Sequence, residues 1–287
     1  TNAGAKEINY KQFISNRLFR IFPLLIVLFF IILTINREQS TPMDVIRLLT
    51  LQLNTGNPTT GWGHNIFPSG PIWTIAVEFQ FYLIFPFIIA ILNKMGISRI
   101  FLMMLCVIVV RAMIVFSTDY HTFNNLYHSI TGRLDQFLWG IVFGFLYLKL
   151  DNKKLGVIKP IILAFVGFLI ITLLMIFDNH NTAFKLLSFN VEAMAWGFIL
   201  FAYLTIGLVI NKKVDAALAY LGGLSYSLYL MHLPVGAILI KKLGKHDFMH
   251  MGNVTTLAII LPICLFISAI TYNGIEKPFL LMRKKYV

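Results

Sequence analysis

Pro71-Ile-Trp-Thr-Ile-Ala-Val-Glu-Phe-Gln-Phe-Tyr-Leu-Ile-Phe-Pro-Phe-Ile-Ile-Ala-Ile-Leu92 is long and apolar enough to cross a hydrocarbon core of roughly 30 Å as a single helix. Seven further runs of this kind can be drawn, at approximately 21–36, 100–116, 134–150, 160–177, 189–210, 220–240 and 254–273. Turn-forming or charged segments such as Asn93–Arg99, Asp151–Pro160 and Asn211–Asp215 separate them. Of the 287 residues, 58% are hydrophobic and only 13% are charged, with a mean hydropathy of +0.78. A water-soluble domain could not conceal that much apolar surface. The sequence therefore predicts an all-α polytopic transmembrane bundle of about eight spans, organised as one domain over residues 1–287. Pro86, Pro234 and Pro262 predict bends, because each leaves the carbonyl four residues earlier without its usual donor.

The formal net charge of +12 does not point to nucleic acid, because the cations sit in short loops between apolar runs rather than along a soluble face. Lys6, Lys11, Arg17 and Arg20 outnumber Glu7 at the N-terminus. Lys94 and Arg99 mark the loop at 93–99. Lys149, Lys153, Lys154 and Lys159 mark the next loop of this set, Lys212 and Lys213 a third, and Lys277, Arg283, Lys284 and Lys285 the C-terminus. The alternate loops, 37–70, 117–133 and 178–188, are close to neutral. By the positive-inside rule both termini are cytoplasmic. The loop at 241–253 is the exception, placed outside yet carrying Lys241, Lys242 and Lys245.

Cys106 and Cys264 both fall within apolar runs and read as small buried hydrophobes, so neither a disulfide framework nor a metal site is predicted. No internal repeat is visible, which weakens the case for a secondary transporter. The longest connection, 38–70, contains the turn-rich stretch Asn54–Gly70 with two aromatic anchors; loops of this length are commonly functional. The chain starts at Thr1 without an initiator Met or signal peptide, and this predicts further residues upstream.

Charged residues inside spans carry the functional argument, since each costs about 2.5–3.5 kcal/mol at a helix centre on insertion scales. Glu78, Arg111, Arg133, Asp135, Glu192 and Glu276 qualify, with His232 near the middle of its run. Pairing or interfacial snorkelling accounts best for Arg111 and Glu192. Glu78 is different: Trp73 precedes it and Tyr82 follows four residues later on the same face, where Pro86 also releases the Tyr82 carbonyl. These groups predict a polar pocket wall in the outer half of the membrane.

Ser225, Tyr229 and His232 are spaced i, i+4, i+7 and share one helical face. The stripe suits proton transfer or substrate binding, and equally suits interhelical hydrogen bonding. Arg17 and Arg20, three residues apart, can present two guanidinium forks to a phosphate at the start of the first span. Spacing alone would also allow them to be topology anchors.

Five ordered motifs resemble the acyltransferase 3 family of integral membrane O-acyltransferases. They are Arg17-Leu-Phe-Arg20-Ile-Phe-Pro23, Ile72-Trp-Thr-Ile-Ala-Val-Glu78-Phe-Gln-Phe-Tyr82, Arg133-Leu-Asp135-Gln-Phe-Leu-Trp-Gly140, Ser225-Tyr-Ser-Leu-Tyr229-Leu-Met-His232-Leu-Pro234 and Glu276-Lys-Pro278. The resemblance spans nearly the whole chain. It implies transfer of an acyl group, most commonly acetyl, from cytoplasmic acyl-CoA to a hydroxyl of a surface polysaccharide, a lipopolysaccharide such as O-antigen, or a related lipid-linked glycan. The implied setting is a bacterial inner membrane, with acyl-CoA as co-substrate and no resident cofactor.

On this resemblance Arg17 and Arg20 would hold donor phosphates. Glu78, Arg133 and Asp135, with Trp73, Tyr82 and Glu276, would shape the acceptor side. Ser225, Tyr229 and His232 would line the passage between them; from the residues themselves, His232 and Glu78 are the candidate catalytic groups, His232 standing in a different motif from the family's catalytic histidine. Family members typically have ten spans, and the first carries a histidine regarded as catalytic. Here the RxxR run opens the first span instead of the third, so the resemblance implies a chain lacking two spans. A lipid-linked glycan transporter and an inactive fragment acting as a partner are the alternative readings.

Overall fold

Asn9 starts the first helix. Its side-chain oxygen accepts from the Gln12 amide at 3.0 Å and its carbonyl from Phe13 at 2.9 Å, satisfying donors that a helix start otherwise leaves open. The helix that follows, α1, runs Tyr10–Ile35. It begins well before the expected span at 21–36, so Arg17 and Arg20 lie within the helix rather than at its entrance.

The computed structural model describes residues 8–35, 37–38, 41–52, 72–117, 126–150, 154–177, 182–207, 211–243 and 253–285. The helices after α1 are α2 (Pro42–Leu49), α3 (Trp73–Met95), α4 (Ser98–Ser117), α5 (Ile130–Lys149), α6 (Ile158–Ile176) and α7 (Thr182–Thr205). Then come α8 (Lys212–Gly223), α9 (Ser225–Leu243) and α10 (Asn253–Thr271), a π-helical turn at Tyr272–Glu276, and the short α11 (Lys277–Leu281). Every regular element among the described residues is helical. The chain is thus an all-α membrane protein.

Six helical stretches among the described residues are long and apolar enough to cross a membrane: Tyr10–Ile31, Trp73–Met95, Ser98–Ser117, Ile158–Ile176, Leu186–Thr205 and Leu257–Leu281. The two other expected spans, 134–150 and 220–240, are helical but do not meet that criterion. The first forms α5, which carries Arg133, Asp135 and Lys149. The second is broken at Leu224 into α8 and α9, and α9 carries serines, tyrosines and His232. Much of the expected outer loop, including Asn54–Gly70, lies outside the described residues, as do Lys6, Lys245 and the side chains of Lys241 and Lys242.

The chain divides into two units, Thr1–Leu83 with Asn211–Val287, and Ile84–Ile210. In the first, Ile21, Leu24, Leu25 and Leu28 form one stripe of α1 at helical spacing. They pack with Ile72, Ile75 and Ala76 from the start of α3, Tyr226 and Leu230 of α9, and Leu51. Leu51 adopts a left-handed φ of 52°, an uncommon backbone for a leucine, and its side chain is buried in this core. α9 packs on α10, whose end passes through the π turn into α11, and both of these last elements pack on α1. Asn16 secures that contact: its amide donates to the Lys284 carbonyl at 2.6 Å, and the Lys284 amide donates to its oxygen at 3.2 Å.

The second unit is built on α5, α6 and α7, with α4 packed on α5. The Ser129 hydroxyl caps α5 by accepting from the Gly132 amide at 3.2 Å. Gly167 lets α6 approach α7 closely, since a Cβ there would sit 2.7 Å from the Ala195 carbonyl oxygen. Outward-facing Phe116, Phe165 and Met175 are exposed, as a hydrocarbon solvent requires. Cys264 is buried as expected, whereas Cys106 lies on an exposed face of α4.

Candidate active site

Thr74, Glu78 and Tyr82 stand at i, i+4 and i+8 on α3, so they form one polar stripe about 12 Å long on an otherwise apolar helix. The Tyr82 hydroxyl donates to the Glu78 carboxylate. The Tyr82 ring meets α1: its centroid is 6.1 Å from that of Phe13, edge to face, and 4.7 Å from the guanidinium carbon of Arg17. Arg17 also lies over the Phe13 ring at 4.9 Å. The cation is therefore held between two aromatic faces, an attraction of about 0.5–2 kcal/mol per ring depending on desolvation.

Glu78, which the resemblance assigns to the acceptor side, lies one helical turn from the tyrosine under Arg17, so Arg17, Tyr82 and Glu78 are one cluster.

At the other end of the stripe Thr74 and Tyr229 share a hydrogen bond through their hydroxyls. The Tyr229 ring centroid is 5.9 Å from that of His232 on the next turn of α9. His232 Nδ1 lies 2.7 Å from the Tyr229 carbonyl oxygen and 3.3 Å from that of Leu228. Carbonyls only accept, so this geometry suits a proton on Nδ1, an arrangement that in the neutral tautomer places the lone pair on Nε2. Named residues thus follow one another in the order Arg17, Tyr82, Glu78, Thr74, Tyr229, His232. Trp73 opens α3 beside Thr74 and is half-buried.

Ser225 does not join this series. It is the first residue of α9 and is exposed, because the helix starts there rather than upstream. Ser227 is the buried serine: its hydroxyl bonds the Glu276 carboxylate in the π turn, and Thr271 donates to it at 3.0 Å. Glu276 is only 2% exposed. The Tyr226 hydroxyl donates to the Ile21 carbonyl at 2.8 Å, tying α9 to α1. Arg20 is close enough for its charge to act on Tyr82, Tyr226 and Glu276. Arg17 lines a separate cleft of about 300 Å³ with Asn16, Arg283, Lys284 and Lys285. Both arginines thus act on Tyr82, and Arg17 also faces this cleft.

In the second unit Arg111 and Asp135 form a fully buried ion pair at 2.7 Å. Arg111 also donates to the carbonyls of Leu186 at 2.9 Å and Gly132 at 3.0 Å. The second Asp135 oxygen accepts from Asn190 at 3.3 Å, and Asn190 accepts from the Trp139 indole at 2.8 Å. The partner expected for Arg111 is thus Asp135, whose carboxylate is engaged inside the helix packing. Arg133 points elsewhere: its guanidinium lies 3.9 Å over the Tyr127 ring and 4.5 Å over Phe189, and it donates to the Tyr127 carbonyl and to Gln136.

Arg133 and Glu192 also line a cavity of about 530 Å³ whose walls are otherwise mainly apolar, with Phe143, Trp196 and Phe201 among them. Gly140 and Gly144, one turn apart on α5, leave part of that cavity open, since a Cβ on either would meet nothing within 4 Å. Among the described residues no group of three or more His, Cys, Asp or Glu could hold a metal ion.

Comparison with known proteins adds the following. The family model for an acyltransferase domain matches residues 3–273. A protein of Staphylococcus aureus strain COL, named a "Putative O-acetyltransferase", is 24% identical over 304 residues, covering 95% of this chain and 48% of its own length. O-acetyltransferase OatA of Staphylococcus aureus strain NCTC 8325 / PS 47 is 27% identical over 233 residues, covering 77% of this chain and 37% of its own. The chain spans about half the length of the curated relatives it matches first. No solved structure matches it.

Proposed function

The chain belongs to the acyltransferase family whose domain covers residues 3–273, and on that premise we propose that it transfers an acyl group, acetyl foremost, from cytoplasmic acyl-CoA to a hydroxyl of a cell-surface glycan. The observation that carries this reading is the polar series in the first unit. It runs from a cation that suits donor phosphates, Arg17, through a carboxylate, Glu78, to an imidazole, His232, whose Nδ1 faces backbone carbonyls.

In this reading Arg17 lies towards the cytoplasmic face of an inner membrane, as the loop charges require. His232 Nε2 takes the proton of the acceptor hydroxyl, whose oxygen attacks the thioester carbonyl. The carbon–sulfur bond breaks, CoA leaves as the thiolate, and the imidazolium returns the proton to it. The products are the glycan ester and free CoA. Glu78, held by Tyr82, supplies the carboxylate of the series on α3, and Thr74 and Tyr229 lie between it and His232. Arg20 and Glu276 position α1 against the π turn.

The cavity at Arg133 and Glu192 is the candidate acceptor side. Its apolar walls suit the hydrocarbon part of a lipid-linked glycan, and its two charged side chains suit the sugars. Asp135 acts there indirectly, by fixing α5 through Arg111.

The test is incorporation of radiolabelled acetyl from acetyl-CoA into alkali-labile esters by membranes containing the chain. His232→Gln and Glu78→Gln are expected to abolish incorporation while leaving the protein folded. Full incorporation by both variants would contradict the site, and glycan export without any ester formation would favour a transporter.

A further inference from the structure

The C-terminal segment after α11 carries three consecutive cations, Arg283, Lys284 and Lys285, that membrane topology alone would explain as anchors. Topology does not explain why the segment is tied down. Asn16, 5% exposed, grips the Lys284 backbone through both its amide and its oxygen, and Gln12 in turn donates to the Asn16 oxygen at 3.2 Å. An asparagine committed in this way fixes the backbone of the segment against the second turn of α1, whatever its side chains do. The result is the cleft of about 300 Å³ lined by Asn16, Arg17, Arg283, Lys284 and Lys285, with four cations and no acidic side chain in its lining.

Arg17 supplies the second observation. Its guanidinium carbon lies over the Phe13 and Tyr82 rings, and its nitrogens make no hydrogen bond among the described residues; Nε is buried without a partner. Arg17, Lys284 and Lys285 have no carboxylate within ion-pairing distance among those residues. A guanidinium placed over two rings, with its nitrogens unsatisfied and three further cations lining the same cleft, suits a multiply charged phosphate ligand.

We propose that Arg283, Lys284 and Lys285, held by Asn16, complete with Arg17 a binding site for the phosphate groups of a CoA-type donor. This rests on the donor reading given above and deepens it: the cations that complement Arg17 come from the end of the chain rather than from Arg20. The same phosphate chemistry is offered by an anionic lipid headgroup, so the test must separate the two sources.

The chain is reconstituted in nanodiscs of phosphatidylcholine and, in parallel, in nanodiscs that also contain phosphatidylglycerol. Binding of CoA is measured by calorimetry at several salt concentrations for the unmutated chain, for the Lys284→Ala/Lys285→Ala double variant, and for the charge-preserving Lys284→Arg/Lys285→Arg variant. The double alanine variant is expected to bind CoA about tenfold more weakly with a shallower salt dependence, as removal of charge-assisted phosphate contacts requires. The double arginine variant is expected to keep the affinity, and all three are expected to unfold at similar temperatures.

Unchanged CoA affinity in the double alanine variant would overturn the inference while leaving the donor reading intact. Alanines that alter only the retention of phosphatidylglycerol would overturn it too, because the occupant is then a headgroup. Absence of CoA binding by the unmutated chain would overturn the donor reading and the inference with it.

Discussion

The Arg17 guanidinium lies 4.7 Å over the ring of Tyr82, and the hydroxyl of that same tyrosine bonds Glu78. A single side chain thus joins a cation on α1 to a carboxylate on α3, using its face for one and its edge for the other. Tyr82 can be divided experimentally, because its ring and its hydroxyl serve different partners.

Tyr82→Phe keeps the platform for Arg17 and removes the bond to Glu78. Donor binding is expected to survive, with acyl transfer falling by about tenfold or more as Glu78 loses its orienting partner. Tyr82→Ala is expected to weaken donor binding as well. Parallel measurements of CoA affinity and ester formation distinguish the two effects, and equal loss of both in Tyr82→Phe would remove the hydroxyl's separate role.

Asp135→Ala leaves Arg111 charged, buried and without its carboxylate. Breaking such a pair is expected to destabilise the second unit by about 3–5 kcal/mol. The double replacement Arg111→Met/Asp135→Leu is expected to recover much of that loss, because no charge then remains buried. Thermal unfolding in detergent reads both variants. A double variant as unstable as the single one would assign the loss to packing rather than to the isolated cation.

Gly144→Leu extends a side chain into the cavity lined by Arg133 and Glu192, and a Cβ at that position meets nothing within 4 Å. The unfolding temperature and CoA affinity are expected to stay close to those of the unmutated chain, while transfer to a lipid-linked acceptor falls. Unchanged transfer would separate this cavity from the acceptor.

Tyr229→Phe breaks the bond to Thr74 but leaves the carbonyl that fixes His232 Nδ1. Its effect on turnover is expected to be several-fold, well short of that of His232→Gln. Kinetics of the two variants with saturating donor decide the order, and a Tyr229 variant as inactive as the histidine one would place the chemistry on the phenol.

The helical class is legible in the sequence because long apolar runs admit few alternatives in a membrane. The Glu78–Tyr82 contact is legible too, since i, i+4 neighbours on a helix must meet. Arg17 over Tyr82 is not, because packing between α1 and α3 leaves no trace in spacing. Thr74 is hidden for a related reason: a threonine within a span ordinarily bonds its own backbone, and only the approach of α9 gives it Tyr229.

Spacing assigns Ser225 to the histidine stripe because the periodicity runs on across Leu224, although Gly222 and Gly223 just before it mark a place where a helix can stop. The structure puts Ser225 on the exposed first turn and gives the buried role to Ser227. In sequence the C-terminal cations are only topology signals, since Asn16 and Lys284 are too far apart along the chain for their contact to be foreseen.

The central claim is that Arg17 belongs to the donor site of an acyltransferase. Transfer of radiolabelled acetyl from acetyl-CoA to the glycan fraction, with Arg17→Ala and Arg17→Lys beside the unmutated protein, tests it most directly. Loss of transfer in Arg17→Ala that is overcome by raising the acetyl-CoA concentration, with a smaller loss in Arg17→Lys, is the predicted result. Transfer with an unchanged dependence on acetyl-CoA in Arg17→Ala would contradict it.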